Sequence, residues 1–379
     1  MPASANMNRL SRMTFPVILF IFFMSGPGIT AQVNSRKEIK IPDIPGYLTL
    51  KCDLHAHTVF SDGDVWPTVR ADEAWREGFD AIAVTEHVEY HPHEGDIPVN
   101  FGRSYDIMKP RADMYGLILI RGAEITRPMP PGHFNCLFLD DVAALDHEDF
   151  WEAMQAAAEQ GAFIFWNHPG WQQPDEIPIW YDEHTRLYEN RLMHGIEIVN
   201  GGSYYPLAHE WCIQKKLTML GNSDVHSPVL MDYEPWKGEH RPMTLIFATE
   251  RTQDAIKEAL FVGRTAVYSG DELIGDARYL EPIFRNSVSL KTISNSGEGK
   301  THFISIRNAS QVPFRLKAAG EVEGFTFPEN IVLYPGRTVM MMISNTGNED
   351  WKGLTLPFLV ENLLVAPGKG MEVKLGIPL

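Results

Sequence analysis

Nine side chains able to bind a cation stand beside short apolar runs of this 379-residue sequence, one or more at nearly every run. The first run leads through Cys52, Asp53, Leu54, His55, Ala56 and His57, and Ser61-Asp62-Gly63 follows. The second ends in Thr85-Glu86-His87, and the third leads through Gly122 and Ala123 to Glu124. His133 opens the fourth, Asn167-His168-Pro169-Gly170 closes the fifth, and Asp224 and His226 follow Gly221. On an extended chain, positions i and i+2 point the same way, so Asp53, His55 and His57 are expected to share a face. Imidazole mixed with carboxylate suits zinc, manganese or iron rather than calcium, which prefers oxygen alone. Packed into one cavity, so many such groups would repel or protonate one another unless cations were present. Nine ligands exceed what one tetrahedral ion can use, which points to two or three. Each motif alone is common on ordinary surfaces or turns; their joint occurrence in this order is hard to produce by packing.

The elements that would position them are strand-length runs: Leu48–Leu54, Ala81–Thr85, Leu117–Ile120, Phe134–Leu139, Ala162–Trp166, Ile196–Val199, Leu217–Leu220 and Leu245–Ala248. Between them, helical patterns are expected at Thr68–Gly78, from a cap at Asp146 to Gly161, and at Thr252–Val262. Strands alternating with helices imply parallel βα units in a barrel or a doubly wound sheet, and barrels gather catalytic groups at one mouth. After residue 275 helix-length periodicity is absent from the pattern. Short strands at Thr301–Ile306, Thr338–Ser344 and Phe358–Val365, separated by turn residues, predict a small β-sandwich.

Composition narrows the partners. With 33 basic and 49 acidic residues the net charge is −16, which argues against coating a long nucleic acid. The three cysteines, Cys52, Cys136 and Cys212, are expected as buried thiols. Residues 1–37 lack Asp and Glu, and Arg9 and Arg12 precede an apolar run from Phe15 to Met24. That run is about half the roughly 20 residues of a membrane span. It has the layout of an export signal at 1–31, so a periplasmic or extracellular protein with no stable membrane span is expected. The remaining boundaries are expected at 32–274 for the α/β domain and 275–379 for the β-sandwich.

The blocks DLHAHTVFSDG, TEH, GAE and GNSDVH resemble the PHP (polymerase and histidinol phosphatase) superfamily of metal-dependent phosphoesterases over Asp53 to about Gly270. The resemblance implies a distorted (β/α)7 TIM-like barrel, with the run Leu245–Ala248 packing outside the ring. It implies one metal held by His55, His57, Glu124 and Asp224, and Glu124 bridging to a second held by His133 and His168. A third would be held by Asp62, His87 and His226. Glu86, where many members carry Asp, would orient a ligand from behind. The export signal, the stretch after Val65 and the trailing β-domain look like the secreted Sb-PDE-type phosphodiesterases. The implied reaction is hydrolysis of a small organic phosphodiester by a hydroxide bridging Mn2+, Zn2+ or Fe2+ ions.

Outside the ligand set, His91 is a candidate proton donor or an ordinary loop histidine. Arg121 and Arg127 are candidates to contact phosphate oxygens, and Phe134, Trp166, Trp171, Tyr204 and Tyr205 are candidates for an apolar wall. Three other activities stay open: a phosphomonoesterase, a nucleotide-directed exonuclease, and a cell-surface binding protein with structural metals. The oligomeric state is not legible.

Overall fold

The chain alternates elements from the start of its α/β part. Strands β1 (Leu48–Asp53), β2 (Ala81–Val84), β3 (Ile118–Ile125), β4 (Phe134–Leu137), β5 (Phe163–Trp166), β6 (Gly195–Asn200), β7 (Ser203–Tyr204), β8 (Thr218–Asn222) and β9 (Met243–Ala248) are interleaved with helices. The helices are α1 (Pro67–Glu77), α2 (Arg103–Tyr115), α3 (Phe150–Glu159), α4 (Asp182–Glu189), α5 (Pro206–Lys215), α6 (Val229–Asp232) and α7 (Gln253–Phe261). This computed structural model describes residues 35–296, 300–347 and 349–378; the expected export signal lies outside them. Among the described residues no helix is long and apolar enough to cross a membrane.

Helix boundaries follow local chemistry. Pro67 opens α1, where a missing N–H costs nothing. Gly78 ends it at φ +94, where an added Cβ would come within 2.5 Å of the Lys37 carbonyl oxygen. Asp149, not Asp146, caps α3 by accepting from Trp151 and Glu152 N–H, so this helix starts later than expected. Thr252 caps α7 as its position predicts.

β1, β2 and β3 pair in parallel, and so do β5, β6 and β8. β4 is the exception, antiparallel to both β3 and β5. No helix separates it from β3; the chain turns back directly through 126–133, which a purely parallel expectation misses. The seven-strand ring meets between β8 and β1 without a regular ladder, through the bridge Ala56–Val225 and the Leu54 N–H donating to Asn222 Oδ1 at 3.0 Å. β9 pairs antiparallel with the edge of β1 opposite β2 and so continues the same sheet. One apolar cluster joins Leu50, Cys52, Leu54, Ala83, Ile120, Phe163, Phe165 and Leu220 from around it. The three cysteines are buried and unpaired.

The sheet continues outward through β10 (Thr265–Ser269) and β11 (Glu272–Gly275). Then comes α8 (Ala277–Ser287), a helix the sequence pattern did not reveal. It buries Tyr279, Leu280, Ile283 and Phe284 on one face, and Pro282 inside it masks the period. Eight strands follow: β12 (Val288–Ser296), β13 (Thr301–Asn308), β14 (Phe314–Ala318), β15 (Phe325–Thr326), β16 (Asn330–Leu333), β17 (Thr338–Asn345), β18 (Thr355–Ala366) and β19 (Lys369–Gly376). β12, β13, β17 and β15 form one sheet. β16, β14, β18 and β19 form the other, which joins the barrel sheet where β18 pairs in parallel with β11. Alternate residues Ile304, Ile306, Met341 and Ile343 of the first sheet and Phe314, Leu316, Phe358 and Val360 of the second are buried in one core. The fold is thus a distorted parallel barrel followed by a β-sandwich.

Candidate metal centre

Six segments bring the nine expected side chains together. His55 and His57 stand just past β1, His87 past β2, Glu124 inside β3, His133 before β4, His168 past β5, and Asp224 and His226 past β8. Asp62 comes from the loop into α1, where Gly63 lets the turn pass against His57; a Cβ there would lie 2.8 Å from the His57 carbonyl carbon. Among the described residues, these nine and no others make up four overlapping groups whose ligand atoms lie within 4.8 Å of one another.

The tightest group is four atoms: His55 Nε2, His57 Nε2, Glu124 Oε2 and Asp224 Oδ1. The two nitrogens approach to 3.0 Å, each stands 3.2 Å from the glutamate oxygen, and each is 3.1 Å from the aspartate oxygen. Vertices of a tetrahedral shell with arms of about 2 Å are about 3.3 Å apart, so the spacing fits a small divalent cation. The other oxygen of Glu124 faces elsewhere, 2.9 Å from His133 Nδ1 and 3.4 Å from His168 Nε2. A third group has Asp62 between His87 Nε2 (3.3 Å) and His226 Nε2 (3.1 Å).

Outer contacts set ring orientation. His55 Nδ1 meets Glu197 at 2.9 Å, His57 Nδ1 meets Ser61 Oγ at 3.3 Å, His87 Nδ1 meets Thr126 Oγ1 at 2.6 Å, and His226 Nδ1 meets the Asp224 carbonyl at 2.8 Å. In His55, His57 and His226 Nδ1 is engaged and Nε2 is turned to the cluster, the polarity of imidazoles prepared to ligate, whereas His87 also brings Nδ1 within 3.2 Å of Glu124. Ser61 passes its own proton to Glu86, so Glu86 sits behind His57 as expected. His168 Nδ1, buried, has no hydrogen-bond partner, and Asp62 Oδ1 has only the close approach of His226 Nε2, leaving lone-pair capacity unspent. Asp224 (φ +53) and His168 (φ +27) hold backbone conformations sparsely populated by non-glycine residues.

The field of the cluster demands positive charge. Burial works against the charged form of His57, yet hydrogen bonds and charge from Asp224 and Glu124 raise it to about 10. His55 is raised in the same way, burial being outweighed by Asp224, Glu197 and Glu124. Glu124 and Asp224 are held well below the usual carboxylate range, burial being outweighed chiefly by His87 and His55 and by His55 and His57 respectively. His133, crowded by His168 and His87, is pushed down by burial instead. Protons can supply this charge in part, and divalent cations can replace them. The donor set, its spacing and its unspent atoms fit such ions.

Above the cluster opens a cavity of about 770 Å³, lined by Asp62, His87, His133, His168, Asp224 and His226 together with Glu89, Tyr90, Thr126, Trp171, Glu176, Asn200, Ser203 and Tyr205. The expected phosphate contacts are not there. Arg121 turns to the Asp140 carbonyl and Asp106, over the Tyr105 ring. Arg127 is taken by Glu89 and the His147 carbonyl. His91 is held between the Phe60 and Val88 carbonyls, so neither ring nitrogen is free for the cavity. Asp53 also stays apart from the cluster, its carboxylate bound by Arg241 and Ser223. Of the expected aromatic wall, Trp171 and Tyr205 line the cavity. Phe134 and Trp166 are core, and Tyr204 bonds His209.

Sequence reasoning missed Glu197. It is fully buried in β6 and also accepts from the His168 N–H, Asn200 and Asn222, each at 2.8–2.9 Å. The available signal was a lone carboxylate between Ile196 and Ile198 in an apolar strand, a position that is costly unless partnered.

Comparison with solved structures finds a two-domain protein from Bacteroides vulgatus ATCC 8482 containing a predicted PHP-like metal-dependent phosphoesterase. It is 44% identical and superposes with a TM-score of 0.87, over 91% of this chain and 100% of that one. A candidate metal-dependent phosphoesterase from Bifidobacterium adolescentis is 16% identical over 56% of this chain and 96% of that one, with a TM-score of 0.41. An amidohydrolase from Chromobacterium violaceum is 15% identical over 47% of this chain and 88% of that one, with a TM-score of 0.36. These two are too distant to add to the first. The family model for DUF5001, an Ig-like domain, matches residues 288–376. No curated protein matches the sequence. On the strength of the full-length relative, this chain belongs to the PHP-like metal-dependent phosphoesterase family, in a two-domain form with an Ig-like module.

Proposed function

We propose that the chain hydrolyses small organic phosphodiesters with the help of two or three divalent cations (Mn2+, Zn2+ or Fe2+). In this reading His55, His57, Glu124 and Asp224 hold one ion, Glu124 shares a second with His133 and His168, and Asp62, His87 and His226 hold a third. When bound, such ions polarise a phosphoryl oxygen and lower the pKa of water from 15.7 to about 7. The chain's own residues do the rest. Glu197, Ser61 and Thr126 fix the ligand rings. Thr126, Asn200 and Ser203 offer neutral polar groups at the wall, and Tyr90, Trp171 and Tyr205 offer faces for an ester arm.

The observation that carries the diester reading is the charge of the cavity wall. Among the described residues four carboxylates line it, one of them (Glu89) paired with Arg127, and no lysine or arginine does, so with its imidazoles spent as ligands the cations would supply most of the charge that offsets phosphate. A diester brings one negative charge, whereas a monoester brings about 1.5 to 2 near neutrality. After loading with Mn2+ or Zn2+, bis(p-nitrophenyl) phosphate should turn over faster than p-nitrophenyl phosphate. Faster turnover of the monoester would reverse the assignment, and no turnover of either would favour a binding protein with structural metals.

Residues 1–31 support action outside the cytoplasm. Terminal sequencing of exported protein should begin near Gln32, and a retained Met1 in that protein would contradict the reading.

A further inference from the structure

Behind the cluster lies a fully buried guanidinium that touches none of the nine side chains' ligand atoms. Arg70, on α1, spends all five of its N–H donors. Nε donates to the His57 carbonyl (3.1 Å), and Nη2 to the carbonyls of Val225 (3.2 Å) and His226 (2.8 Å). Nη1 donates to the Ser227 carbonyl (3.1 Å) and to Glu73 (2.6 Å), whose second oxygen accepts from the Val229 N–H at 3.0 Å. Four of the five acceptors are therefore main-chain oxygens of the two segments that carry His57 and the Asp224–His226 pair.

Those segments are where the ring has no ladder. Beyond β1 and β8 they meet through the Ala56–Val225 bridge and a few main-chain bonds, among them Asp224 N–H to the His55 carbonyl at 2.9 Å. Asp224 occupies the left-handed region there, a conformation that persists only when its surroundings hold it. Four carbonyls turned to one buried guanidinium need its donors, and a planar fork of five N–H groups supplies what a lysine's three rotatable donors cannot.

We propose that Arg70 is a positioning residue of the metal centre: by gathering the carbonyls of His57, Val225, His226 and Ser227 it sets the separation of the two ligand-bearing segments. The inference rests on the nine-residue cluster being a cation site. Arg241 makes a parallel anchor one step away, binding Asp53, which in turn accepts from Ser223 N–H and Oγ just before Asp224.

The test uses full-length protein stripped of metal and titrated with Co2+, read by its visible ligand-field absorption. Arg70→Lys should bind at least one equivalent about 10–100-fold more weakly and with altered bands, the effect typical of disturbed support behind a metal ligand. Ile306→Val, a mild core change in the sandwich, supplies the control for lost stability and should titrate like wild type. Wild-type affinity and spectrum in Arg70→Lys would overturn the proposal. Should that variant fail to fold by circular dichroism, Glu73→Ala answers instead: weaker cobalt binding supports the role, and unchanged binding overturns it. If wild type itself takes up no cobalt, the cation-site reading fails and the inference goes with it, a result distinct from the others.

Discussion

The two ends of the molecule bury polar side chains in opposite ways. In the β-sandwich, Asn308 donates to the Val312 and Leu333 carbonyls and accepts from Ser310 N–H and Oγ. Asn362 likewise donates to the Asp271 and Pro313 carbonyls and accepts from Arg315 N–H. Each such group is spent on main chain and staples a strand or turn in place. In the barrel, buried imidazole nitrogens face one another at 3.0 Å against crowded carboxylates, with His168 Nδ1 left without a partner, whereas the sandwich leaves a single such atom, His302 Nδ1, among the described residues. Satisfied polar burial builds structure; unspent, mutually repelling burial is a demand for something absent from the chain.

Substitutions at the two ends should therefore separate binding from stability. Glu124→Gln or His57→Ala should remove at least one ion and lower phosphoesterase turnover by more than about 100-fold, since loss of supporting groups alone typically costs 10–100-fold. The metal-free fold should survive. Phe358→Ala, in the sandwich core, should do the reverse, costing about 3–5 kcal/mol of stability while folded molecules keep their metal content. If Phe358→Ala strips metal as thoroughly as Glu124→Gln does, the contrast collapses.

Asn308→Ala leaves several main-chain groups without partners and should cost about 1–3 kcal/mol, with turnover per folded molecule unchanged. Glu197→Gln keeps the shape of the barrel network but withdraws charge from His55, so weaker metal binding is expected with little loss of fold.

Acidity gives a further handle. The His57 pKa is raised to about 10 from an ordinary 6.5, so its contribution to the stability of the metal-free protein is complete below about pH 6.5 and is lost as pH rises through about 10. Thermal unfolding of stripped protein should show that decline, and loading with Zn2+ or Mn2+ should flatten it because ions take the protons' place. An equal decline in both forms would contradict the link. The smallest effect belongs to Arg121→Ala, whose partners, the Asp140 carbonyl and Asp106, lie outside the cavity wall, and it should leave KM for a diester within about twofold, as surface changes do.

Much of the barrel end was readable before any coordinates. His55 and His57, or Asp224 and His226, announce themselves because strand alternation keeps i and i+2 together, and because each pair directly follows an apolar run. Glu197 stayed hidden because, Asn200 apart, its partners lie 25 to 142 residues away. Arg70 and Arg241 were invisible for the same reason: apart from Glu73, three residues from Arg70, their carbonyl and carboxylate partners are gathered by folding across 13 to 188 residues. The antiparallel β4 and the Pro282-containing α8 escaped because a turn in place of a helix, and a proline inside one, break the local period on which such reading depends. In the sandwich the alternation of Ile304 and Ile306 was clear, but no side chain there signalled chemistry, and none of the nine ligand candidates lies there.

The most direct test is anomalous diffraction from crystals of the full chain grown with Mn2+ or Zn2+. At least two peaks are expected among these side chains, one within ligand distance of His55, His57, Glu124 and Asp224 together. Peaks elsewhere, or none at a concentration that supports turnover, would contradict the account.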